Sequence, residues 1–570
     1  MKRDGEHSKV LAIGLDGGTY TVLKPLIDAG RLPALGSMMN EGAWGILKST
    51  IPPHTAPAWS SLATGKNPGG HGLFQFTPVD RSVYEVGDTR VANASSMAGT
   101  TIWDMLSDAD RKVGIMNVPM TYPPHPVNGF MITGMLTPRS APTFTYPPEL
   151  ADSLPGYRID LTAGSNGYGI IAERGLGTSE ALRSLIEDLT ECMIARAETA
   201  LRLMREHPCD FFFIVFTGTD RLQHYLWHCL DPQSGVRATP EGRSLSAAAE
   251  GFLVALDAQI ARLFAQAGDG TTRIVVSDHG FGPFPTQTVY FNAWLMEQGF
   301  LRLHNQGGGM SRMRYWFNKI GITREMVYGL LDRVIPSRIE KQLRRKIGSG
   351  SYPIDWENTR AAYLPMFDFV GGVMVNQATD HGDSTGGASE DYESLRQDLI
   401  DRIQGLCDPA TGCPVVRRVY RREEIYSGRY LDSAPDLVLV LDPRYRGERS
   451  LLTKSVVSQG RVKDTLWSGT HREEGILMLS GPDIVKGELS PHRIWDVSPT
   501  ILYLLGVPVP SDMDGQIISE GIDPRRLAAS PPRSREARSF KTRVAAGESV
   551  WDTEEEMEDV KDHLRGLGYL

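Results

Sequence analysis

Six side chains of the types that bind divalent metal ions stand beside short apolar segments of the 570-residue chain. They are three aspartates and three histidines: Asp16, Asp220, His224, Asp278, His279 and His471. Asp220 and His224 are four residues apart, so on a helix both point from one face and can reach one ion. Carboxylate and imidazole groups are ligands that suit Zn²⁺ or Mn²⁺. The pattern therefore predicts a metal-dependent reaction.

The segment STIPPHTAPAWSSLATG, residues 49–65, places a hydroxyl group at the start of a helix. Its prolines prevent a helix before about Ala56, and the residues that follow predict a short helix with Thr55 as its N-cap. Free N–H groups and the positive end of the helix dipole collect at such a position. Thr55 is therefore either an ordinary helix cap or a hydroxyl group held for chemistry.

The elements that must position these residues are short apolar strands alternating with helices. The predicted buried strands are Val10–Leu15, Val113–Val118, Phe211–Phe216, Arg273–Ser277, Leu437–Leu441 and Gly475–Leu479, and the clearest helical patterns are Ser179–Arg205 and Ser246–Ala265. This alternation predicts an α/β sandwich with a largely parallel sheet. Ligands of such sheets bind beyond the carboxyl ends of the strands, where the aspartates lie.

The composition fits an ordinary globular protein, with 41% hydrophobic and 23% charged residues. A net charge of -9 argues against binding of a nucleic-acid polymer, which requires basic surface. The five cysteines form no CxxC pair and predict neither a disulfide framework nor a structural zinc cluster. We find no signal peptide and no transmembrane segment in the sequence pattern, and we therefore expect a cytoplasmic protein.

Two segments depart from the strand-helix alternation. Residues 303–351 carry, between Ser311 and Ile347, ten Lys/Arg against three Asp/Glu. They predict a solvated helical insertion, a cap that attracts an anionic substrate, or a helix at a membrane surface. After about Gly521, residues 521–550 predict a flexible linker. Residues 551–570 predict a docking helix with Thr553 as N-cap, Glu556 three residues later and Gly566 as its end.

The motifs in their order resemble the alkaline phosphatase superfamily, and most closely its type I phosphodiesterase/nucleotide pyrophosphatase branch. The matching features are Asp16, Thr55 in a T-x-P turn followed by ATG, and then TDRLQH, SDHGFG and GTHREEG. NVPMTYPPHPVNG, FNAWLMEQGFL and WDVSPTILYLLGVPVPSDMDG further resemble a subgroup of predicted phosphohydrolases. The resemblance covers roughly residues 8–516. It implies a three-layer α/β/α core, residues 8–302 and 352–520, interrupted by a small helical insertion.

The resemblance also implies which residues bind metal. One ion would be held by Asp220, His224 and His471, and the second by Asp16, Asp278 and His279, with the Thr55 hydroxyl at the second ion. His228 is a competing imidazole, but His224 completes the D-x-x-x-H pattern. One position departs from the family: Gln75 and Phe76 stand where the nucleotide pyrophosphatases carry a phosphoryl-binding Asn, so the substrate contacts are left open.

The family reaction would use Thr55 as nucleophile and two divalent ions, Zn²⁺ or alternatively Mn²⁺. Two such ions bring four positive charges and three aspartates remove three, so the site is nearly neutral once the threonine ionises. A nearly neutral site suits a phosphodiester monoanion better than a monoester dianion. We therefore expect a phosphodiesterase or nucleotide pyrophosphatase acting on a small-molecule or lipid-linked phosphate ester. Phosphomonoesterase or phosphomutase activity stays open because the basic insertion could add positive charge.

Three other functions fit the motifs less well. Sulfatases use Cys or Ser in C/S-x-P-x-R, whereas TAPAW has Thr55 and Trp59 in those slots. A cofactor-independent phosphoglycerate mutase would need a larger insertion than residues 303–351. A non-catalytic scaffold would have no need of the seven metal-site residues, all of which are present.

Overall fold

The structure is a computed structural model that describes most of the chain. The described residues are 9–77, 79–80, 85–86, 91–161, 178–304, 354–376, 390–451, 453, 455–459, 467–537, 551 and 553–566. All but the first two residues of the predicted basic insertion, 303–351, lie outside them, as does the second part of the predicted linker, 538–550. The predicted domain boundaries therefore stay predictions.

Within the described residues, a ten-stranded sheet forms the centre of the protein. Nine strands follow one another in the order Gly487–Glu488, Ala43–Lys48, Glu474–Ser480, Thr271–Val276, Lys9–Leu15, Phe211–Phe216, Val113–Val118, Gly129–Thr133 and Thr145–Tyr146. The tenth strand, His492–Arg493, pairs with Ala43–Lys48. The five strands from Thr271–Val276 to Gly129–Thr133 run parallel to one another. The predicted α/β class with a largely parallel sheet is thus confirmed.

Several chain segments meet at one edge of this sheet. The strands that end at Leu15, Phe216 and Val276 are parallel neighbours, so their carboxyl ends lie side by side. Glu474–Ser480 runs antiparallel to this block, and its first residue therefore lies at the same edge. Ala43–Lys48 is antiparallel in turn to Glu474–Ser480, so it ends at this edge and leads directly to Thr55.

The helices cover the sheet in two groups and give the three-layer arrangement. One group consists of Tyr20–Asp28, Pro33–Glu41, Ser179–Glu206, Gly218–Leu230 and Pro240–Ala267. The other consists of Thr55–Thr64, Ile102–Asp108 and Val497–Leu504. Further helices are Pro68–His71, Phe291–Glu297, Glu390–Gln404, Arg422–Ile425, Pro524–Ala529 and Glu554–Gly566, and 3₁₀ turns are Ala94–Ser96, Pro148–Ser153, Gly235–Ala238, Leu431–Ser433, Ile494–Asp496 and Ser519–Gly521.

A second, antiparallel sheet has a hydrophobic core of its own. Its strands are, in order, Ala361–Phe367, Val370–Val375, Leu437–Leu441 and Val416–Arg421. Val373, Leu399 and Leu439 are fully buried in this core. Leu437–Leu441 is therefore a buried strand as predicted, but it lies outside the parallel central sheet with which the sequence pattern groups it. An apolar run predicts burial and does not specify the neighbouring strand.

Further short strands pair with one another outside these two sheets. Gly280–Pro283 pairs with Gly469–Arg472, Gln287–Tyr290 pairs with Tyr445–Glu448 and Val457–Gln459, Val79–Asp80 pairs with Glu85–Val86, and Val509–Pro510 pairs with Ser534–Arg535. Ser534–Arg535 lies in the region predicted as a linker, so the described part of that region, residues 521–537, contains ordered structure.

The C-terminal helix Glu554–Gly566 packs on the central core. The Glu556 N–H donates to Thr553 Oγ1 at 3.1 Å, and the Thr553 N–H donates to the Glu556 carboxylate at 3.3 Å, as expected for a capping box. Val560 and Leu564 are buried. None of the helices in the described ranges combines the length and the apolar character that crossing a membrane requires.

Candidate functional site

The topology of the central sheet brings the predicted metal-binding residues together. Asp16 follows the strand that ends at Leu15, Asp220 lies in the first turn of Gly218–Leu230, and Asp278 and His279 follow Thr271–Val276. His471 lies in the short strand just before Glu474–Ser480. The side chains of all six predicted ligands are buried.

Two glycines allow the close approach of these segments. Gly17 has a φ of +68°, a conformation that favours glycine, and its N–H donates to Asp278 Oδ1 at 3.1 Å. A Cβ atom on Gly469 would lie 2.5 Å from the Gln223 carbonyl oxygen, so a larger residue would push this strand away from the helix. The absence of side chains at these positions therefore lets the strand that carries His471 lie against the helix that carries His224.

The three histidines present the same ring nitrogen to the site. The Nδ1 atoms of His224, His279 and His471 lie 3.1, 3.1 and 2.9 Å from the carbonyl oxygens of Gly469, Gly280 and Pro53. A carbonyl oxygen only accepts, so each Nδ1–H donates and each neutral ring keeps an Nε2 lone pair. Such backbone contacts are typical of histidines that bind metal through Nε2.

The first cluster consists of Asp220, His224 and His471. Asp220 Oδ1 lies 3.4 Å from His224 Nε2 and 3.2 Å from His471 Nε2, and the two nitrogens are 3.1 Å apart. These atoms converge as ligands of one ion would. His228, the competing imidazole, is half-buried and belongs to neither of the clusters found in the described residues.

The second cluster consists of Asp16, Asp220 and His279. His279 Nε2 lies 3.6 Å from Asp16 Oδ1, 4.0 Å from Asp220 Oδ1 and 3.3 Å from Asp278 Oδ2. The three expected residues of the second ion are therefore neighbours. Asp220 contributes to both clusters, which the resemblance did not imply, and Asp278 adjoins the second.

The electrostatics of the site depend on three buried carboxylates. Burial, followed by the nearby Asp278 and Asp220, raises the pKa of Asp16 well above its usual value. Burial and the charge of Asp220 raise the pKa of Asp278 in the same way. Burial would also raise the pKa of Asp220, but His224 and His471 and the adjacent Arg221 hold it well below its usual range. Burial and His471 lower the pKa of His279, which favours its neutral form.

Several ligand-type atoms in the site are buried without a hydrogen-bond partner in the described structure. They are Asp16 Oδ1, Asp220 Oδ1, Asp278 Oδ2 and His279 Nε2. Buried polar atoms without partners are costly, because they lose their contacts with water and gain nothing in return. Cations bound between these atoms would supply the missing interactions, so the residues fit a pair of divalent ions.

Thr55 is the first residue of the helix Thr55–Thr64, and its N-cap is His54. The prediction of Thr55 as N-cap was wrong by one residue, because the His54 carbonyl oxygen already accepts the first helical bond, from the Ala58 N–H at 3.0 Å. The Thr55 side chain is 1% exposed, and its Oγ1 has no hydrogen-bond partner in the described part of the chain. The hydroxyl group is therefore not used as a cap.

Contacts on both sides of Thr55 tie its segment to the two clusters. Two residues before it, the Pro53 carbonyl oxygen accepts from His471 Nδ1. Four residues after it, Trp59 Nε1 donates to Asp16 Oδ2 at 3.4 Å. Trp59 occupies the slot where sulfatases carry arginine, and here its indole contacts a candidate metal ligand.

Several other residues lie around the site, and among them Phe367 and Asp368 have no sequence motif that identifies them. The half-buried Phe367 ring lies 4.5 Å from the His471 ring and 5.0 Å from the His54 ring, and Asp368 accepts from the Thr470 hydroxyl. Arg221 contacts Asp220, and its position inside TDRLQH was a signal that the sequence offered. Phe76 packs against the His54 ring at 4.6 Å, while Gln75 Nε2 is buried without a described partner.

Residues 10–466 match the family model described as type I phosphodiesterase / nucleotide pyrophosphatase. Similar solved structures include phosphonoacetate hydrolase from Sinorhizobium meliloti in complex with phosphonoformate, at 17% identity and a TM-score of 0.49. They also include murine ectonucleotide pyrophosphatase / phosphodiesterase 5, as an inactive variant in complex with AMP, at 14% identity and a TM-score of 0.46. Each alignment covers 88% of this chain and 95% of the other. No curated protein matches the chain.

Proposed function

The chain belongs to the type I phosphodiesterase / nucleotide pyrophosphatase family, and on that premise we propose that it is a two-metal phosphodiesterase with Thr55 as its nucleophile. Family membership indicates a hydrolase that acts on phosphoesters. The preference for diesters, the role of Thr55 and the two metal ions are the finer parts of the proposal.

The observation that carries the proposal is the buried Thr55 hydroxyl, which has no hydrogen-bond partner among the described residues and lies on a segment that contacts both His471 and Asp16. Asp220, His224 and His471 would hold one ion, and Asp16, Asp278 and His279 would hold the other, with Asp220 reaching both. When bound, the ions would supply positive charge that favours the ionised hydroxyl and stabilises the leaving oxygen.

Each protein group then has a task in the reaction. Thr55 Oγ1 attacks phosphorus while the bond from phosphorus to the leaving oxygen breaks, and water then hydrolyses the threonine phosphoester and frees Thr55. The start of the helix Thr55–Thr64 directs N–H groups and the positive dipole end towards the phosphoryl oxygens. The Pro53 contact with His471 and the Trp59 contact with Asp16 hold the nucleophile segment in register with the ligands. The backbone carbonyls fix the tautomer of each histidine.

Charge supports a diester as substrate. Asp16, Asp220 and Asp278 would leave one positive charge on two divalent ions, and the ionised Thr55 would cancel it. The adjacent Arg221 does not alter this sum, because Asp160 lies 3.2 Å from its guanidinium group and balances its charge. A small-molecule or lipid-linked phosphodiester monoanion fits such a site better than a monoester dianion.

A substrate panel tests the proposal. Hydrolysis of bis-p-nitrophenyl phosphate, p-nitrophenyl phosphate and p-nitrophenyl sulfate is measured for the wild type and for Thr55→Ala, with and without EDTA. We expect the diester to be the best substrate and EDTA to abolish turnover. Thr55→Ala should keep its fold and its metal while kcat falls at least about 10³-fold, because the attacking group is lost.

Each other outcome of the substrate panel would contradict one part of the proposed function. Full activity of Thr55→Ala would mean that another group is the nucleophile. A preference for the monoester would favour a phosphomonoesterase or phosphomutase, and an absence of both bound metal and turnover would favour a non-catalytic scaffold. Metal analysis of the purified protein distinguishes Zn²⁺ from Mn²⁺.

A further inference from the structure

Arg221 is a buried guanidinium group directly behind the candidate metal centre. It is 1% exposed, and it contacts Asp220 Oδ2, whereas the contacts of Asp220 with the cluster histidines are made by Oδ1. Asp220 Oδ1 is thereby left to face His224 and His471. The orientation of the carboxylate shared by both clusters therefore depends on where Arg221 is held.

Asp160 holds Arg221 from the other side. Its Oδ2 lies 3.2 Å from the Arg221 guanidinium group, and its side chain is 7% exposed. A buried arginine needs a nearby negative charge, because burial without a partner is strongly unfavourable. Asp160 can supply this charge, so that the charge of Asp220 stays available for cations. Without Asp160, Arg221 would depend on Asp220, which it already contacts, and would compete with the metal ions for that carboxylate.

The C-terminal helix Glu554–Gly566 covers Asp160. His563 Nε2 lies 3.9 Å from Asp160 Oδ2, and the helix is fixed by Tyr122, whose hydroxyl donates to Glu556 at 2.8 Å. A cavity of about 690 Å³ lies beside this contact and is lined by Asp160 and His563, among others. Asp160 thus lies near both His563 of the C-terminal helix and Arg221.

We propose that Asp160, covered by the C-terminal helix, is a positioning residue of the metal centre. Its charge holds Arg221 so that Asp220 keeps one oxygen directed at both clusters. This inference rests on the proposed metal-dependent function, and it assigns to the last helix of the chain a task in metal binding in addition to docking.

The test measures metal affinity and stability separately in the full-length protein. The dissociation constant for Zn²⁺ is measured by competition with a chromophoric chelator, and thermal unfolding is recorded for the metal-free protein. Asp160→Asn should raise the dissociation constant at least about tenfold, the usual scale for a group that supports a metal ligand. Asp160→Glu should restore it to within about threefold, because the charge is kept and the cavity has room for one methylene group.

Glu191→Gln is the matched control. Glu191 lines the same cavity but lies 3.6 Å from Arg158 and does not contact Arg221, so its removal should leave the dissociation constant unchanged. Should Asp160→Asn fail to fold, His563→Asn replaces it and should weaken Zn²⁺ binding about threefold, by exposing the Asp160–Arg221 pair to water.

Two results would overturn the inference. Wild-type affinity in folded Asp160→Asn, or in His563→Asn where that variant is used, would show that the pair serves folding alone and would leave the proposed function intact. A wild-type protein that binds no divalent metal would overturn both proposals together.

Discussion

The central sheet and the second sheet contribute to the same site in different ways. The candidate ligands Asp16, Asp220 and Asp278 lie directly after strands of the central sheet. The second sheet reaches the site through the turn between its first two strands, where Phe367 packs on the His471 ring and Asp368 contacts Thr470. The central sheet thus contributes the candidate metal ligands, and the second sheet contributes the aromatic ring of Phe367, which forms an aromatic wall beside His471.

The buried carboxylates of the two regions differ in whether their hydrogen bonds are satisfied, and this difference separates candidate functional residues from residues that stabilise the fold. Each region has its own hydrophobic core and its own buried carboxylates. Asp436 in the second region accepts from the Tyr392 hydroxyl at 2.7 Å and from the Val375 N–H at 2.8 Å, so its charge is satisfied within the protein. Asp220 keeps one oxygen without a partner among the described residues. A satisfied buried carboxylate stabilises a fold, whereas an unsatisfied one indicates a binding site.

Among the variants that compare the two sheets, the largest expected effect comes from removing the carboxylate charge of Asp220. Asp220→Asn should lower kcat at least about 10²-fold, the scale for loss of one electrostatic stabiliser, and it should weaken binding at both clusters. Metal content by elemental analysis and hydrolysis of bis-p-nitrophenyl phosphate check this outcome.

Asp436→Asn is the matched control in the second region. It should cost about 1–3 kcal/mol of stability, because buried hydrogen bonds are altered, and it should leave metal content and kcat near their wild-type values. If Asp436→Asn lost as much metal as Asp220→Asn, metal binding would not depend specifically on the carboxylates of the central sheet.

A smaller effect is expected from the aromatic wall. Phe367→Ala removes the ring over His471 and His54, and we expect kcat/KM for the aryl diester to fall about three- to tenfold, the scale of an aromatic contact. The zinc dissociation constant should change less than about twofold, because no ligand is lost. Phe300 is a buried aromatic residue in the core of the second sheet, and Phe300→Ala should lower the melting temperature and leave the kinetics unchanged. A large loss of metal in Phe367→Ala would contradict the proposal that the second sheet contributes an aromatic contact and the central sheet contributes the metal ligands.

The sequence predicted five of the ten strands of the central sheet and the candidate ligands near their ends, whereas other strands, such as Ala43–Lys48, were not predicted. Val113–Val118 and Phe211–Phe216 have the predicted bounds, and Lys9–Leu15 and Glu474–Ser480 extend their predictions by one or two residues. Buried parallel strands are continuous apolar runs, so their positions are visible without knowledge of the fold. The ligand types follow these runs directly, which is why the candidate site could be located.

The second sheet and the grouping of the ligands could not be predicted to the same extent. Ala361–Phe367 and Val370–Val375 have no chemical motif, and the partners of Leu437–Leu441 depend on contacts that are distant in sequence. The sharing of Asp220 between two clusters depends on distances of a few ångströms that residue spacing cannot give. Phe367 is close to His471 only because the second sheet packs there.

The smallest expected effect tests the hydrogen bond between Asp368 and Thr470, which joins the second sheet to the strand of His471. Asp368 accepts from the Thr470 hydroxyl, next to His471 in sequence. A hydrogen bond of this kind contributes about 0.5–1.5 kcal/mol, so Asp368→Ala and Thr470→Val should each lower kcat/KM about two- to tenfold. If the two side chains act only through this hydrogen bond, the double variant should lose no more activity than the more impaired of the two single variants. Additive losses in the double-mutant cycle would show that the turn positions His471 through other contacts.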